Sequence, residues 1–304
     1  MLKYRVCILF FSLLANLYTI AQNDPFRVHS SVGLATYFGD LKQKAKFIDQ
    51  SSPAFNLGVS YDITDQILLR FDFSIMSLKG DDRFNARKDF IERNLNFKTT
   101  LWETNFSVQY DFLNMNSEDY FLSPYVFAGF GLMHMNPWTY DRNGVKRFLR
   151  GYHTEGQGLP SYPERKEYSL FNFQIPFGAG IKYAINENVN VYFEFAFRKL
   201  FTDYLDDVGN TYPDRNILLN ESSDPTTTIG LTFRGDELNP LLPYPSTLIQ
   251  RGGYTKDIFY TIGLGVSFKL NGVAISSGKG NGGFNKIRRV GSSRSRLRNP
   301  GSVF

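Results

Sequence analysis

Apolar residues fall on every second position over long stretches of this chain. Phe171, Phe173, Ile175, Phe177, Ala179, Ile181, Tyr183 and Ile185 share one parity, with Asn172, Gln174, Pro176, Gly178, Gly180 and Lys182 on the other. After Asn186-Glu187-Asn188 the rule resumes, setting Val191, Phe193, Phe195 and Phe197 against Asn190, Tyr192, Glu194, Ala196 and Arg198. A period of two predicts strands, and a short Asn-rich break between two of them predicts a hairpin. The alternation recurs at about 26–38, 54–63, 67–75, 101–112, 120–133 and 258–270, giving eight strands in all. A further piece, Thr226 to Arg234, alternates through Ile229, Leu231 and Phe233 and leaves a larger count of ten open. Long strands with one aromatic-aliphatic face and one polar, charged, Gly-rich face suit a barrel in lipid, apolar side outward. A soluble β-sandwich also alternates, but strand length favours the barrel.

The connections fall into two kinds. Those near Thr64-Asp65, Asn114 to Glu118 and Asn186 to Asn188 are short, whereas those after the first, third, fifth and seventh strands are long, the last covering about 206–256. Short turns belong on the periplasmic side of an outer-membrane barrel and long loops outside. An even strand count then places both termini in the periplasm. The expected fold is all-β: an eight-stranded antiparallel transmembrane barrel in the outer membrane of a Gram-negative cell, with long extracellular loops and a disordered basic tail.

Composition alone hides this. Mean hydropathy is slightly negative at −0.28, as expected when only alternate residues meet lipid. Beyond the N-terminus no window approaches the ~20 apolar residues of a membrane helix. Residues 1–21 read as a signal peptide: Lys3 and Arg5, an apolar run from Val6 to Leu17, then Thr19-Ile20-Ala21. Cys7, the only cysteine, lies in that run, so the mature barrel of residues 22–270 has no thiol chemistry. Residues 271–304 form a Gly/Ser-rich tail with seven cations and no acid. Subtracting these seven and the signal's two from the chain's +5 leaves −4 for the barrel. Such a tail reads as disordered until it meets a partner, with Lys286, Arg288, Arg289, Arg294, Arg296 and Arg298 as candidate contacts.

Candidate chemistry is sparse. His29, His134 and His153 are scattered, and no His or Cys cluster has metal-ligand spacing. His29 and Ser31 form a His-x-Ser pair like one in an outer-membrane lipid deacylase, with no matching acid evident. Two polar lumen residues is the better reading. Asp203, Asp206, Asp207, Asp236 and Glu237 lack the regular spacing of a Ca²⁺ loop and read as solvated loop acids. Arg70, Asp72, Glu103, Lys182, Glu194 and Arg198 share the inward parity. Charges inside so narrow a barrel need partners, which predicts a salt-bridged plug and not a channel. Glu194 and Arg198 should pair with charges on neighbouring strands.

Four phrases add a resemblance: Tyr37-Phe38-Gly39-Asp40-Leu41, Gly156-Gln157-Gly158-Leu159, Phe201 to Val208, and Phe233-Arg234-Gly235-Asp236-Glu237. With the strand pattern, residues 22–270 resemble in outline the PorG-type outer-membrane barrels of the type IX secretion and gliding machinery. That resemblance implies a docking or scaffold subunit of a protein-transport complex, contacting a periplasmic ring of lipoprotein and partner subunits. It implies no enzyme activity, catalytic residue, cofactor or metal, and neither nucleic acid nor a small-molecule substrate as partner. The tail lies outside the resemblance. The rival expectations are a free-standing OmpA-like barrel acting in adhesion or envelope integrity, and a barrel enzyme acting on lipid.

Overall fold

A computed structural model describes residues 26–42, 50–85, 87–114, 121–186, 188–252 and 256–270. The predicted signal peptide and basic tail lie outside the described residues, as does most of the connection at 115–120. Eight long strands carry the fold: β1 (Phe26–Phe38), β2 (Ser52–Asp62), β3 (Ile67–Asp81), β4 (Asn96–Asp111), β5 (Leu122–His134), β8 (Phe171–Ala184), β9 (Val189–Leu200) and β10 (Ile258–Lys269). A small hairpin, β6 (Trp138–Tyr140) and β7 (Lys146–Phe148), sits in the third long connection. Short helices α1 (Lys88–Arg93), α2 (Arg215–Glu221) and α3 (Pro225–Thr232) lie in the second and fourth.

Each long strand pairs antiparallel with two others, in the order β3-β2-β1-β10-β9-β8-β5-β4, and β3–β4 pairing closes the ring. The seam joins Arg27 to Lys269 and Phe38 to Ile258, so β1 starts and β10 ends on one rim. The short turns occupy that rim. Asn186 shapes one of them, its side-chain oxygen accepting the N–H groups of Asn188 and Val189 at 2.9 Å. The four long connections meet at the opposite rim.

Outward apolar residues are bare: Val32, Phe130, Phe173 and Leu264 are each more than 60 % exposed. That is the signature of a surface facing lipid. The strands run further than the apolar alternation predicts, with β3 reaching Asp81 and β4 starting at Asn96. In this extension the polarity of the two faces exchanges. Outward residues on β3 are Ile67, Leu69, Phe71, Phe73 and Ile75, followed by Ser77 and Lys79; inward ones are Arg70, Asp72 and Ser74, followed by Met76 and Leu78. β4 mirrors this across the ladder, because Met76 lies opposite Leu101 and Ile75 opposite Trp102. The apolar outward band from Ile67 to Ile75 spans ~27 Å of strand, about what a tilted strand needs to cross the apolar band. Above it the barrel stands in water and holds a core of the soluble kind. Tyr37, Leu41, Met76, Leu78, Leu95, Phe97, Leu101, Met135, Leu149, Leu205, Val208, Leu231 and Phe259 form one buried cluster there.

The alternation at Thr226 to Arg234 does not make a strand. Asp224 caps a helix by accepting the N–H of Thr227 at 3.2 Å, and Pro225 occupies its first turn. Proline there gives up a donor the first turn leaves unpaired anyway.

Candidate functional site

The inward side of the membrane band is filled. Arg70 donates to Glu194 at 2.7 Å, to Gln109 at 3.1 Å and to Asp72 at 3.3 Å. His29 Nε2 lies 2.7 Å from Asp72, and the Tyr125 hydroxyl donates to Glu194 at 2.8 Å. Higher up, Arg198 clasps Glu103 at 2.7 Å through Nη2 and 3.2 Å through Nε, while Gln174 donates to the same carboxylate at 2.6 Å. Lys182 donates to Asp111 at 2.6 Å, and Arg27 holds Asp62 at 2.9 Å near the short-turn rim. All six predicted lumen charges therefore point inward. Glu194 and Arg198 do not pair with one another, but their partners stand across the barrel on β3 and β4 and not, as expected, on the strands beside β9, because the narrow lumen brings opposite walls within side-chain reach.

Asp111, Arg27, Asp62 and the acid partner of His29 escaped the sequence reading. Asp111 continues the parity of Glu103 and Gln109, so its inward direction was legible. Its partner on β8 was not, because a cross-barrel contact depends on register. The acid missing beside His29 is Asp72, on β3. His29 is 4 % exposed and enclosed in the plug, so the His-x-Ser pair belongs to the lumen packing. Aromatic rings fill the rest, and β8 glycines make room for them. A Cβ on Gly180 would lie 2.4 Å from the Tyr125 ring, and one on Gly178 2.8 Å from Phe127. The lumen retains voids of about 20 and 30 Å³, each the size of a water or two.

Over the filled lumen lies the cap. The Tyr37 hydroxyl sits 2.5 Å from Asp206 and 3.0 Å from Asp257. The remaining oxygens of these acids accept the N–H groups of Val208 at 2.9 Å and Leu205 at 3.1 Å. Asp207 accepts the Tyr168 hydroxyl at 2.8 Å and the Thr154 hydroxyl at 2.5 Å. Arg251 bridges Glu155 at 3.1 Å and the Asp207 carbonyl at 2.7 Å. Arg93 clasps Asp82 through two nitrogens at 2.7 Å. The expectation of solvated loop acids is thus corrected for Asp206 and Asp207, which are 1 % and 0 % exposed. Their phrase folds under the apolar cluster through Leu205 and Val208. Burial raises Asp206 well above the carboxylate range, helped by repulsion from Asp257 and Asp40, and raises Asp257 likewise, helped by Asp40 and Asp203. Burial also lifts Asp203 and Asp207 to about 7. Asp236 and Glu237 stay at the cap's edge, held by Arg142 at 2.5 Å and Arg234 at 2.9 Å.

His134 stacks on Trp102 at 5.2 Å on the outer face, and His153 lies 3.7 Å from Glu167. Among the described residues no three His, Cys, Asp or Glu side chains are grouped to hold a metal. The six tail cations proposed as partner contacts lie outside the described residues.

Lipid-facing exterior, charge-filled interior and a closed ring of eight long strands define a transmembrane barrel of the outer-membrane type. Residues 7–234 match the family model described as outer membrane protein beta-barrel domain, and the chain belongs to that family. No curated protein matches the sequence. Among solved structures the chain is similar to Neisserial surface protein A (14 % identity, 80 % of this chain and 96 % of that one, TM-score 0.39). It is also similar to OprG from Pseudomonas aeruginosa (14 %, 82 % and 99 %, TM-score 0.36) and to Ail from Yersinia pestis (10 %, 81 % and 99 %, TM-score 0.36).

Proposed function

We propose that this barrel is a non-enzymatic docking or scaffold subunit of a type IX protein-secretion complex, with its short-turn rim and both termini in the periplasm against a ring of partner subunits. The observation that carries the reading is the convergence of the four resembling phrases. Leu41, Leu159, Leu205, Val208 and Phe233 are all buried in the cap, and Tyr37 of the first phrase meets Asp206 of the third. Among the described residues, the cap and the filled lumen leave only water-sized voids of about 20 and 30 Å³, which favours neither a conduit nor an enclosed substrate site. On this reading the work falls to the surface and to the basic residues of 271–304. The exposed Leu241 and Leu248, 90 % and 91 % accessible on the cap's exterior, favour the second reading, adhesion through the loops by a free-standing barrel.

Purification of the full chain in mild detergent, with and without residues 271–304, separates the two. Co-elution of periplasmic subunits, weakened by high salt or by tail deletion, is the expected result. Purification of the barrel alone under every condition would remove the docking role. In planar bilayers the pure protein should pass no steady current, and large single-channel steps would overturn the plugged-barrel reading.

A further inference from the structure

Just above the apolar band, the outward face carries three lysines that form no ion pair with an acid among the described residues. Lys79 on β3 lies directly opposite Lys98 on β4, a like-charge cross-strand pair that disfavours the sheet. Lys98 in turn pairs with Trp138 of β6. The Trp138 ring lies between two ammonium groups, Lys146 Nζ at 4.1 Å from its centroid and Lys98 Nζ at 5.6 Å. Lys146 also lies 4.8 Å from the Phe148 ring. Cation–π contact orients an ammonium without cancelling its charge. The carboxylates nearest in the chain are engaged elsewhere: Asp81 by Arg83 at 2.6 Å and Asp141 by Arg147 at 2.8 Å.

Height narrows the occupant. Trp102, His134 and Phe171 form the aromatic belt at the band's upper edge, with ring centroids 4.8–5.6 Å apart. Lys98 is four residues beyond Trp102 and Lys79 four beyond Ile75, about 14 Å along the strand and on the order of 10 Å in height after tilt. Lysine stems lie along the apolar surface and deliver their charge at the headgroup boundary. A ligand seated here lays acyl chains against Phe73, Ile75 and Trp102 and carries anionic groups some distance above them. A sugar headgroup bearing phosphates meets that requirement better than a phosphate attached directly at the glycerol level.

We propose that Lys79, Lys98 and Lys146, with Trp138 and Phe148, form a binding site on the barrel's outer face for the phosphates of an acylated glycolipid of the outer leaflet. The assignment to that leaflet rests on the long-connection rim facing outward. Lipid binding in detergent is independent of the secretion role, so either idea can fall without the other.

The test is native mass spectrometry of the full chain in detergent, titrated with bisphosphorylated lipid A, the same lipid enzymatically dephosphorylated, and phosphatidylglycerol. Bisphosphorylated lipid A should be retained at least tenfold more strongly than the other two. The K79Q/K98Q/K146Q variant should lose about that factor while keeping heat-modifiable migration on gels. Equal retention by the folded variant, or equal retention of dephosphorylated lipid A, would overturn the site. Phosphatidylglycerol held as tightly as lipid A would overturn the choice of glycolipid. If the triple variant does not fold, the three-lipid comparison on the unmodified protein decides.

Discussion

The two halves of β3 obey opposite rules. From Ile67 to Ile75 the strand turns apolar residues outward and Arg70, Asp72 and Ser74 inward; from Met76 onward the apolar residues turn inward and Ser77 and Lys79 outward. Nothing about the ladder changes between them. What changes is the medium outside, and with it the means of filling the inside. In the lower half the exterior takes the apolar surface, so the narrow interior is filled by charges that must neutralise one another. In the upper half, water outside returns the apolar side chains to the interior, where they join the loops in an ordinary core. A filled lumen should therefore be brittle to the loss of one charge, whereas the cap should depend on burial and on pH.

The sharpest break in the comparison is Glu103→Ala. It leaves Arg198, 7 % exposed, without its carboxylate, and unpaired buried charges of this kind cost about 3–5 kcal/mol. The urea midpoint of the folded barrel in bilayers should drop accordingly, and replacing Glu103 and Arg198 together by apolar residues should recover much of the loss. An unchanged midpoint for the single variant would show that water already serves Arg198.

Next in size is a paired test of the polarity exchange. Phe73→Arg places a cation in the apolar band and should cost about 2–4 kcal/mol near the midplane. Ser77→Arg, at the same outward parity but above the band, should cost about 0–1 kcal/mol, as charges near the interface do. Equal costs would erase the boundary drawn between Ile75 and Met76.

The smallest effect concerns the cap alone. Asp203 and Asp207 are raised to about 7 by burial, so between about pH 4 and 7 the folded cap binds more protons than the unfolded segment. Stability then falls as pH rises through that window. Protection factors of the 201–212 amides, with the intrinsic pH dependence of exchange divided out, should be larger at pH 5 than at pH 8, with those of β4 and β9 unchanged. Smaller protection factors at pH 5 would reverse the sign and place these acids in ionised, paired form.

Much of the barrel was legible because period two is a local property. The inward direction of Arg70, Glu103 and Arg198 follows from parity alone, and the narrow lumen then demands partners across it. Which partner each one takes depends on register, which no single strand carries. The cap was hidden for a different reason. Asp206 and Asp207 sit in a loop phrase, and only the apolar Leu205 and Val208 around them hinted at burial. A readable signal was passed over in β3, where Met76 and Leu78 stand on the parity of Arg70 and Asp72. Asp224-Pro225 likewise marked a helix start that the alternation of Ile229, Leu231 and Phe233 concealed.

The cap's composition also sets an order of events. Its cluster takes Leu41 from the first long connection, Leu95 from the second, Leu149 and Tyr168 from the third, and Leu205, Val208 and Leu231 from the fourth. No hairpin, and no run of consecutive hairpins short of the whole, contains enough of these side chains to assemble it. The fourth connection, carried by the β9–β10 hairpin, meets the first only when β10 has paired with β1. The lid can therefore set only on a finished ring, and a protease directed at 201–212 would distinguish closed molecules from those still open at the seam.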